Sequence, residues 1–284
     1  MKASNAKVSL LILVILATTN SGCSLINRIR AKSEINEAAR AYKAGHFNEA
    51  EQHSRRALEL DPEQKNAPTF IARTVHAQYK PGIDTPENTA KARQAIEEYK
   101  KILANDPKNE EAYKAIAALY GAIKEDDQQQ QWIIQHANDQ SVPAESRAEA
   151  FYTLASKNWQ CSYNITEQPN IKQTVMKDNK ALIVYKKPQD QKDYDTARQC
   201  VAKGLEEAEK AISLDPKSET AWSYKTNLLR EQAKLAEMDG DMNRRAELQK
   251  QADQAQAQTA KLSEENQAKK DAEEAKKAQA KKTG

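Results

Sequence analysis

Three Asp-Pro pairs set the tightest limit on what this chain can fold into. Leu60-Asp61-Pro62, Asn105-Asp106-Pro107 and Leu214-Asp215-Pro216 each close a run whose apolar residues recur at helical spacing. Proline lacks an amide hydrogen and disfavours helix for the residue before it, so each pair ends one helix and prepares the next. A chain stopped this way becomes a series of helices joined by turns. The presence of only 7 Gly and 9 Pro, amid abundant Ala, Glu, Lys and Gln, fits stacked helices. Charged residues make up 30% and aromatics 6%, which supplies an elongated array better than a thick central core. So polar a chain could also be disordered, but the regular apolar spacing over roughly residues 30–260 argues otherwise. The net charge of +3, with signs mixed, carries no nucleic-acid footprint.

Read backwards from each proline, the runs share a register. The first contains Gly45-x-Phe47-x-x-Ala50, then Ala57, Leu60 and Pro62. Small residues at Ala50 and Ala57 allow two helices to approach, and Phe47 fills the space beside the turn. Ile71, Ala72 and Val75, then Ala95, Ile102 and Pro107, form a second unit; Tyr113, Ile116, Ala117 and Tyr120 begin a third. Phe151, Leu154 and Ala155, followed much later by Ala208, Ala211 and Pro216, form a fourth, and a fifth begins at Trp222, where Lys225 breaks the pattern. This phased pattern resembles the tetratricopeptide repeat, a helical hairpin of about 34 residues. The resemblance implies an all-α solenoid of about five hairpins over residues 31–262, with an unrelated helical bundle as the alternative. Pro81-Gly82 and Pro86 mark a loop insertion at 80–88, and a longer insertion occupies 164–190.

The first residues read as an export address. Lys2 and Lys7 precede an apolar run from Val8 to Thr19, then Asn20-Ser21-Gly22-Cys23. Twelve residues of helix reach about 18 Å, short of a hydrocarbon core of about 30 Å, so a cleaved signal over 1–22 explains the run better than a membrane span. Ser21-Gly22-Cys23 resembles the lipobox of bacterial lipoproteins, with Asn20 where that family has Leu, Val or Ile. The resemblance implies a lipid on Cys23, a linker over 23–30, and a place on the outer membrane facing the periplasm, Ser24 following the cysteine. An ordinary secretory signal with an incidental cysteine and a buried N-terminal helix are the other readings.

Between Asn164 and Asp190 the helical spacing fails. Ile171–Met176 and Ala181–Tyr185 are β-prone runs around Lys177-Asp178-Asn179-Lys180, the pattern of a small β-hairpin, with a loop bearing an apolar patch as the alternative. Ala181–Val184 is apolar enough that it should pack on a helix or meet a partner. Cys161 and Cys200 bracket the insertion, near the end of one predicted helix and within the next. Antiparallel packing in an oxidising compartment would join them in a disulfide, against the alternative of two buried free thiols.

Chemistry is sparse. His46, His53, His76 and His136 fall in no metal-ligand spacing, and Cys-x-x-Cys, Gly-rich phosphate loops and Gly-x-Ser-x-Gly are absent from the sequence. The expectation is a non-enzyme without cofactor, metal or small-molecule substrate. In the family it resembles, exposed positions on the first helix of each repeat line a groove that holds a protein segment. By register these are Asn66, Thr69, Arg73 and His76 in the second unit, and Glu111, Lys114 and Ala118 in the third. Tyr152 and Trp159 follow in the fourth, and Thr220, Ser223 and Asn227 in the fifth. Tyr152 and Trp159 share a helical face, as an anchor for a partner or as core between helices. His76 lines the groove or faces solvent. The set lacks the Lys/Asn/Arg combination of the carboxylate-clamp repeats. Residues 263–284 read as a charged tail, either a frayed helix or solvated chain, or else touching peptidoglycan or anionic lipid. The expected role is an envelope scaffold for assembly of an outer-membrane or secretion complex. The alternatives are an adaptor that regulates peptidoglycan enzymes and a redox or hydrolytic protein using Cys161 and Cys200.

Overall fold

The computed structural model describes residues 4–283, with side-chain surroundings over 24–279. Cys23 and the signal segment before it lie outside the residues whose side chains are described. The elements run α1 (Ser4–Lys43), α2 (Phe47–Leu60), α3 (Ala67–Gln78), α4 (Pro86–Asn105), α5 (Glu110–Ala122), α6 (Asp126–Asn138) and α7 (Ala144–Thr166). After these come β1 (Lys172–Lys177), β2 (Lys180–Tyr185), α8 (Gln191–Leu214), α9 (Glu219–Met238) and α10 (Met242–Thr283). Among the described residues, α1 packs on α2, α3 on α4, α7 on α8 and α9 on α10, so the fold is all-α and built of helical hairpins, with one small β-hairpin inserted.

The Asp-Pro pairs do what their chemistry predicts. Asp61, Asp106 and Asp215 hold nearly one conformation, with φ of -140°, -136° and -135°. Each donates its N–H back to the preceding turn, to the carbonyls of Ala57, Ile102 and Ala211 at 3.0, 2.8 and 2.9 Å. Their own carbonyls accept from Gln64, Asn109 and Ser218 at 3.0, 3.1 and 3.1 Å. A fourth turn of this kind has no adjoining proline. Asp139 accepts from Ser141 N–H through Oδ1 at 2.9 Å and from Val142 N–H through its carbonyl at 3.1 Å, and so separates α6 from α7. An Asp side chain closing on an amide two residues ahead makes this turn by itself.

Inside the hairpins a second device recurs. Gly45, Lys124 and Gly240 stand at φ of 79°, 60° and 76°. Each N–H returns to the carbonyl three residues back, Tyr42, Gly121 and Glu237, at 3.0, 3.1 and 2.9 Å. The next N–H in each case reaches five residues back, to Ala41, Tyr120 and Ala236, all at 2.9 Å. This left-handed closure satisfies the last carbonyls of the helix. The two hairpins without it, α3–α4 and α7–α8, are the two that carry insertions.

The first insertion occupies 79–85 rather than 80–88, because Thr85 accepts from Asn88 N–H and starts α4 at Pro86. The second also begins later than the sequence suggested. α7 continues to Thr166, whose buried hydroxyl is held by a residue of α9, and α8 starts directly after its Asp190 cap. Residues 24–30, expected as a linker, are helical within α1, where neither Gly nor Pro interrupts them. Beyond Leu262, the described residues of the expected tail continue α10 as an exposed helix.

The chain forms two compact units, Met1–Gln129 and Gln130–Gly284, with the boundary inside α6. In the first, Ala31, Ala38, Ala50, Ala57 and Ala67 are fully buried, which lets α1, α2 and α3 pack closely. In the second, α7, α8 and α9 enclose Ala155, Ala208 and Leu228, each fully shielded. Gly204 on α8 is required there. A Cβ at this position would stand 2.6 Å from Leu228 Cδ2 and 3.0 Å from Asn158 Cβ. Small residues at helix crossings are what the stacked-hairpin plan demands.

The candidate partner-binding faces

In the first unit, α3 and α5 bring two of the expected groove residues together. Arg73 grips Glu111 from both nitrogens, Nε to Oε1 at 2.9 Å and Nη2 to Oε1 and Oε2 at 2.6 and 2.8 Å. Both side chains are about half exposed. Beneath them, burial first and then the Glu111 charge push the Tyr99 hydroxyl up to about 12. His76 is half-buried. Its Nδ1 lies 3.3 Å from Tyr99 Oη, its ring meets Tyr99 edge-on at 5.8 Å, and burial lowers its pKa. Asn66 sits at the N-cap of α3 without a side-chain capping bond, and Thr69 is half-buried. Lys114 and Ala118 are exposed one and two turns along α5 from Glu111.

In the second unit the equivalent face is aromatic. Trp159 of α7 lies 5.1 Å from Tyr163 and 6.2 Å from Tyr224 of α9, centroid to centroid. Tyr152 is on the same face of α7, and burial, then Glu149 and Tyr224, push its hydroxyl up to about 12. Trp159 and Tyr224 pack their inner edges on the Ala155–Ala208–Leu228 cluster while remaining partly exposed. Anchor and core are therefore not exclusive for this tryptophan. On α9, Thr220 is exposed, while Ser223 and Asn227 are half-buried.

Sequence reasoning missed Tyr163, Tyr185, Tyr224 and Lys234. The signal available was the spacing itself, since Thr220, Tyr224, Asn227, Glu231 and Lys234 follow one another on one face of α9 at helical intervals. Lys234 Nζ stands 5.2 Å from the Tyr163 ring and 4.9 Å from the Tyr185 ring, extending the aromatic face toward the β-hairpin. Below it is an ion network. Glu231, 2% exposed, accepts from Ser162 Oγ at 3.0 Å and Thr166 Oγ1 at 2.8 Å through Oε2. Lys234 donates to Glu231 Oε1 at 2.5 Å and Glu167 Oε1 at 2.7 Å. Burial disfavours the Lys234 ammonium, but Glu231 and Glu167 outweigh it and raise its pKa.

Cys161 and Cys200 are joined, with Cα atoms 6.2 Å apart, and cross-link α7 to α8 beside the insertion. Among the described residues, no group of three or more His, Cys, Asp or Glu could hold a metal. His53 instead places Nδ1 2.6 Å from Glu34 Oε2.

No protein-family model and no curated protein matches the chain. Among solved structures, it is similar to a crystal structure of MamA, at 15% identity and a TM-score of 0.39, covering 79% of this chain and 94% of that one. It is also similar to a tetratricopeptide repeat protein from Parabacteroides merdae, at 13% identity and 0.33, covering 82% and 97%. The TPR2AB domain of yeast Sti1, in complex with pHSP90, is similar at 16% identity and 0.30, covering 81% and 98%.

Proposed function

We propose that this chain is a non-catalytic scaffold that holds a segment of another protein, tethered to the cell envelope by a lipid on Cys23. Its task on this reading is assembly of an outer-membrane or secretion complex. The observation that carries the binding role is the aromatic face of α7 and α9. Tyr152, Trp159, Tyr163 and Tyr224 form a partly exposed row. Large flat side chains already seated on a core lose little freedom on binding, and they anchor protein interfaces out of proportion to their number. Their rings accept apolar and proline-rich segments, and the tyrosine hydroxyls offer polar contacts at the rim. The basic start, short apolar run and Ser21-Gly22-Cys23 support the tether. Among the described residues, no helix is long and apolar enough to cross a membrane.

Photo-crosslinking in living cells tests the reading. A photoreactive residue at Tyr163 should capture one reproducible envelope protein that the same residue at exposed Lys203, on α8, does not. Trp159→Ala, with melting temperature checked, should abolish that capture. Capture of peptidoglycan enzymes would make the chain an adaptor for them and overturn the assembly role. No difference between the two positions would remove the aromatic face as a binding site. The mass of the mature N-terminus decides the tether, which fails if Cys23 is not acylated.

A further inference from the structure

The β-hairpin is tied down at its base and bare beyond it. β1 pairs with β2 antiparallel, with Lys172 opposite Tyr185, Thr174 opposite Ile183, Met176 opposite Ala181 and Lys177 opposite Lys180. Lys172 reaches Glu167 at 2.5 Å, Ile171 is buried, and Lys187 rests 4.0 Å from the Tyr194 ring. Of the apolar run Ala181–Val184, expected to pack on a helix or meet a partner, Val184 is half-buried and the other three residues are exposed. Met176 is 70% exposed, Ile183 52% and Leu182 42%.

The backbone edges follow the same division. Lys186 N–H donates inward, to the Ile171 carbonyl, at 2.9 Å. Tyr185 N–H therefore points outward, and Glu237 of α9 accepts it at 3.2 Å. On the other edge, the Gln168 carbonyl accepts from Lys172 N–H at 2.9 Å. Both edges are thus capped where the hairpin leaves the helices. Peptide groups alternate in direction along a strand, so Thr174 and Met176 on β1, and Ala181 and Ile183 on β2, turn theirs outward past those caps. An uncapped edge of this kind is a template for another strand.

Charge selects the occupant. Residues 171–187 carry five lysines against one aspartate, of which Lys172 and Lys187 at the base already pair with Glu167 and Asp239. Lys177 and Lys180 face each other across the turn, a like-charge pairing that is locally unfavourable until an anion relieves it. We propose that residues 174–183 dock an extended acidic segment of a partner protein by strand addition. Val175 and Leu182 share one face, and Met176 and Ile183 the other, so an added strand with apolar residues on either side continues a stripe already present. A second copy of the hairpin would set lysines against lysines. A lipid surface would meet the hairpin's most polar part first and would leave two unpaired edges in hydrocarbon, where each unpaired group is costly. The docking site is separate from the aromatic face and does not depend on it.

The test uses the full chain with its disulfide intact and a short peptide of alternating glutamate and valine as the probe. Amide hydrogen exchange is followed at Thr174, Met176, Ala181 and Ile183, with a lysine–valine peptide as control. The acidic peptide should slow exchange along one edge, and the basic one should not. Lys177→Glu together with Lys180→Glu should weaken binding by about tenfold while leaving the melting temperature in place. The proposal is overturned if millimolar acidic peptide protects none of the four amides, or if charge reversal leaves its affinity unchanged. It is equally overturned if phosphatidylglycerol vesicles protect the hairpin and the peptide does not, or if protection follows the protein's own concentration.

Discussion

Replacing Lys234 with methionine should destabilise the second unit more than loss of a solvent-facing lysine charge would. Methionine retains most of the aliphatic stem, so little packing is lost; what disappears is the charge that neutralises Glu231. That carboxylate is 2% exposed, and the Lys234 side chain is itself only 14% exposed. The hydroxyls of Ser162 and Thr166 remain on Oε2, but hydrogen bonds from neutral groups do not replace a counter-ion. Stranding one member of a buried ion pair costs about 3–5 kcal/mol. Glu167 keeps Lys172 at 2.5 Å, which softens the loss and places the expectation near the lower end. At roughly 2–4 °C per kcal/mol for a unit of this size, Lys234→Met should melt about 6–12 °C early by circular dichroism. The double change Glu231→Leu with Lys234→Met leaves no stranded charge and should recover part of that loss. The same single variant should loosen the hairpin base, seen as faster exchange at the Tyr185 amide. A single variant within about 1 kcal/mol of the parent, or a double variant worse than the single, would refute the reasoning.

Other contacts give four more expected outcomes. Reducing the Cys161–Cys200 bridge, 39 residues apart in sequence, should cost the second unit about 4 kcal/mol in the loop-entropy model; two free thiols in unreduced mature protein would deny the bridge. Gly204→Ala should cost about 1–3 kcal/mol in a denaturant titration, because Leu228 is fully buried and has nowhere to move. Lys124→Gly should stabilise the first unit by about 0.5–1 kcal/mol, since its φ of 60° strains any residue with a Cβ and its ion pair with Asp84 is exposed. Acid should destabilise both units. Burial pushes the Glu98 and Glu167 carboxyls up, but Arg55 and Lys101 on the one, and Lys172 and Lys234 on the other, hold both below the ordinary value. Stability from a depressed carboxylate is present above its unfolded value of about 4.3 and is lost as pH falls through the folded one. Melting temperatures should therefore drop below about pH 4, and Glu98→Gln should flatten that drop in the first unit.

The helical hairpins are legible in the sequence because the chemistry that bounds them is local. Asp61, Asp106 and Asp215 announce their turns because the residue before proline avoids helix, and Gly45 announces its turn because a left-handed backbone favours a residue without a Cβ. The β-prone runs on either side of Asp178-Asn179 are readable for the same reason, since strand preference and turn chemistry act over a few residues. Cys161 and Cys200 are readable as a pair once two helices are expected to run antiparallel. Where the local signal is altered, reading fails. The turn at Asp139 has no adjoining proline, Lys124 stands where Gly45 and Gly240 stand in two other turns, and α7 runs past the point where its apolar spacing fades.

The binding faces lie further from the sequence. Register places Arg73 and Glu111 on the right helices, yet their bidentate pairing, 38 residues apart, depends on how α3 and α5 stack. Register also finds Trp159 but not its neighbours Tyr163 and Tyr224, nor that Lys234 sits between Tyr163 and Tyr185. Glu231 meets Ser162 and Thr166 across 69 and 65 residues. Nothing in either stretch marks that meeting, because an exposed and a buried glutamate look alike in a polar helix. A residue's own backbone preferences decide where a helix starts and stops, and those are written locally. Which faces become buried, and which charges must then find partners, is decided only when the hairpins close on one another and exclude water.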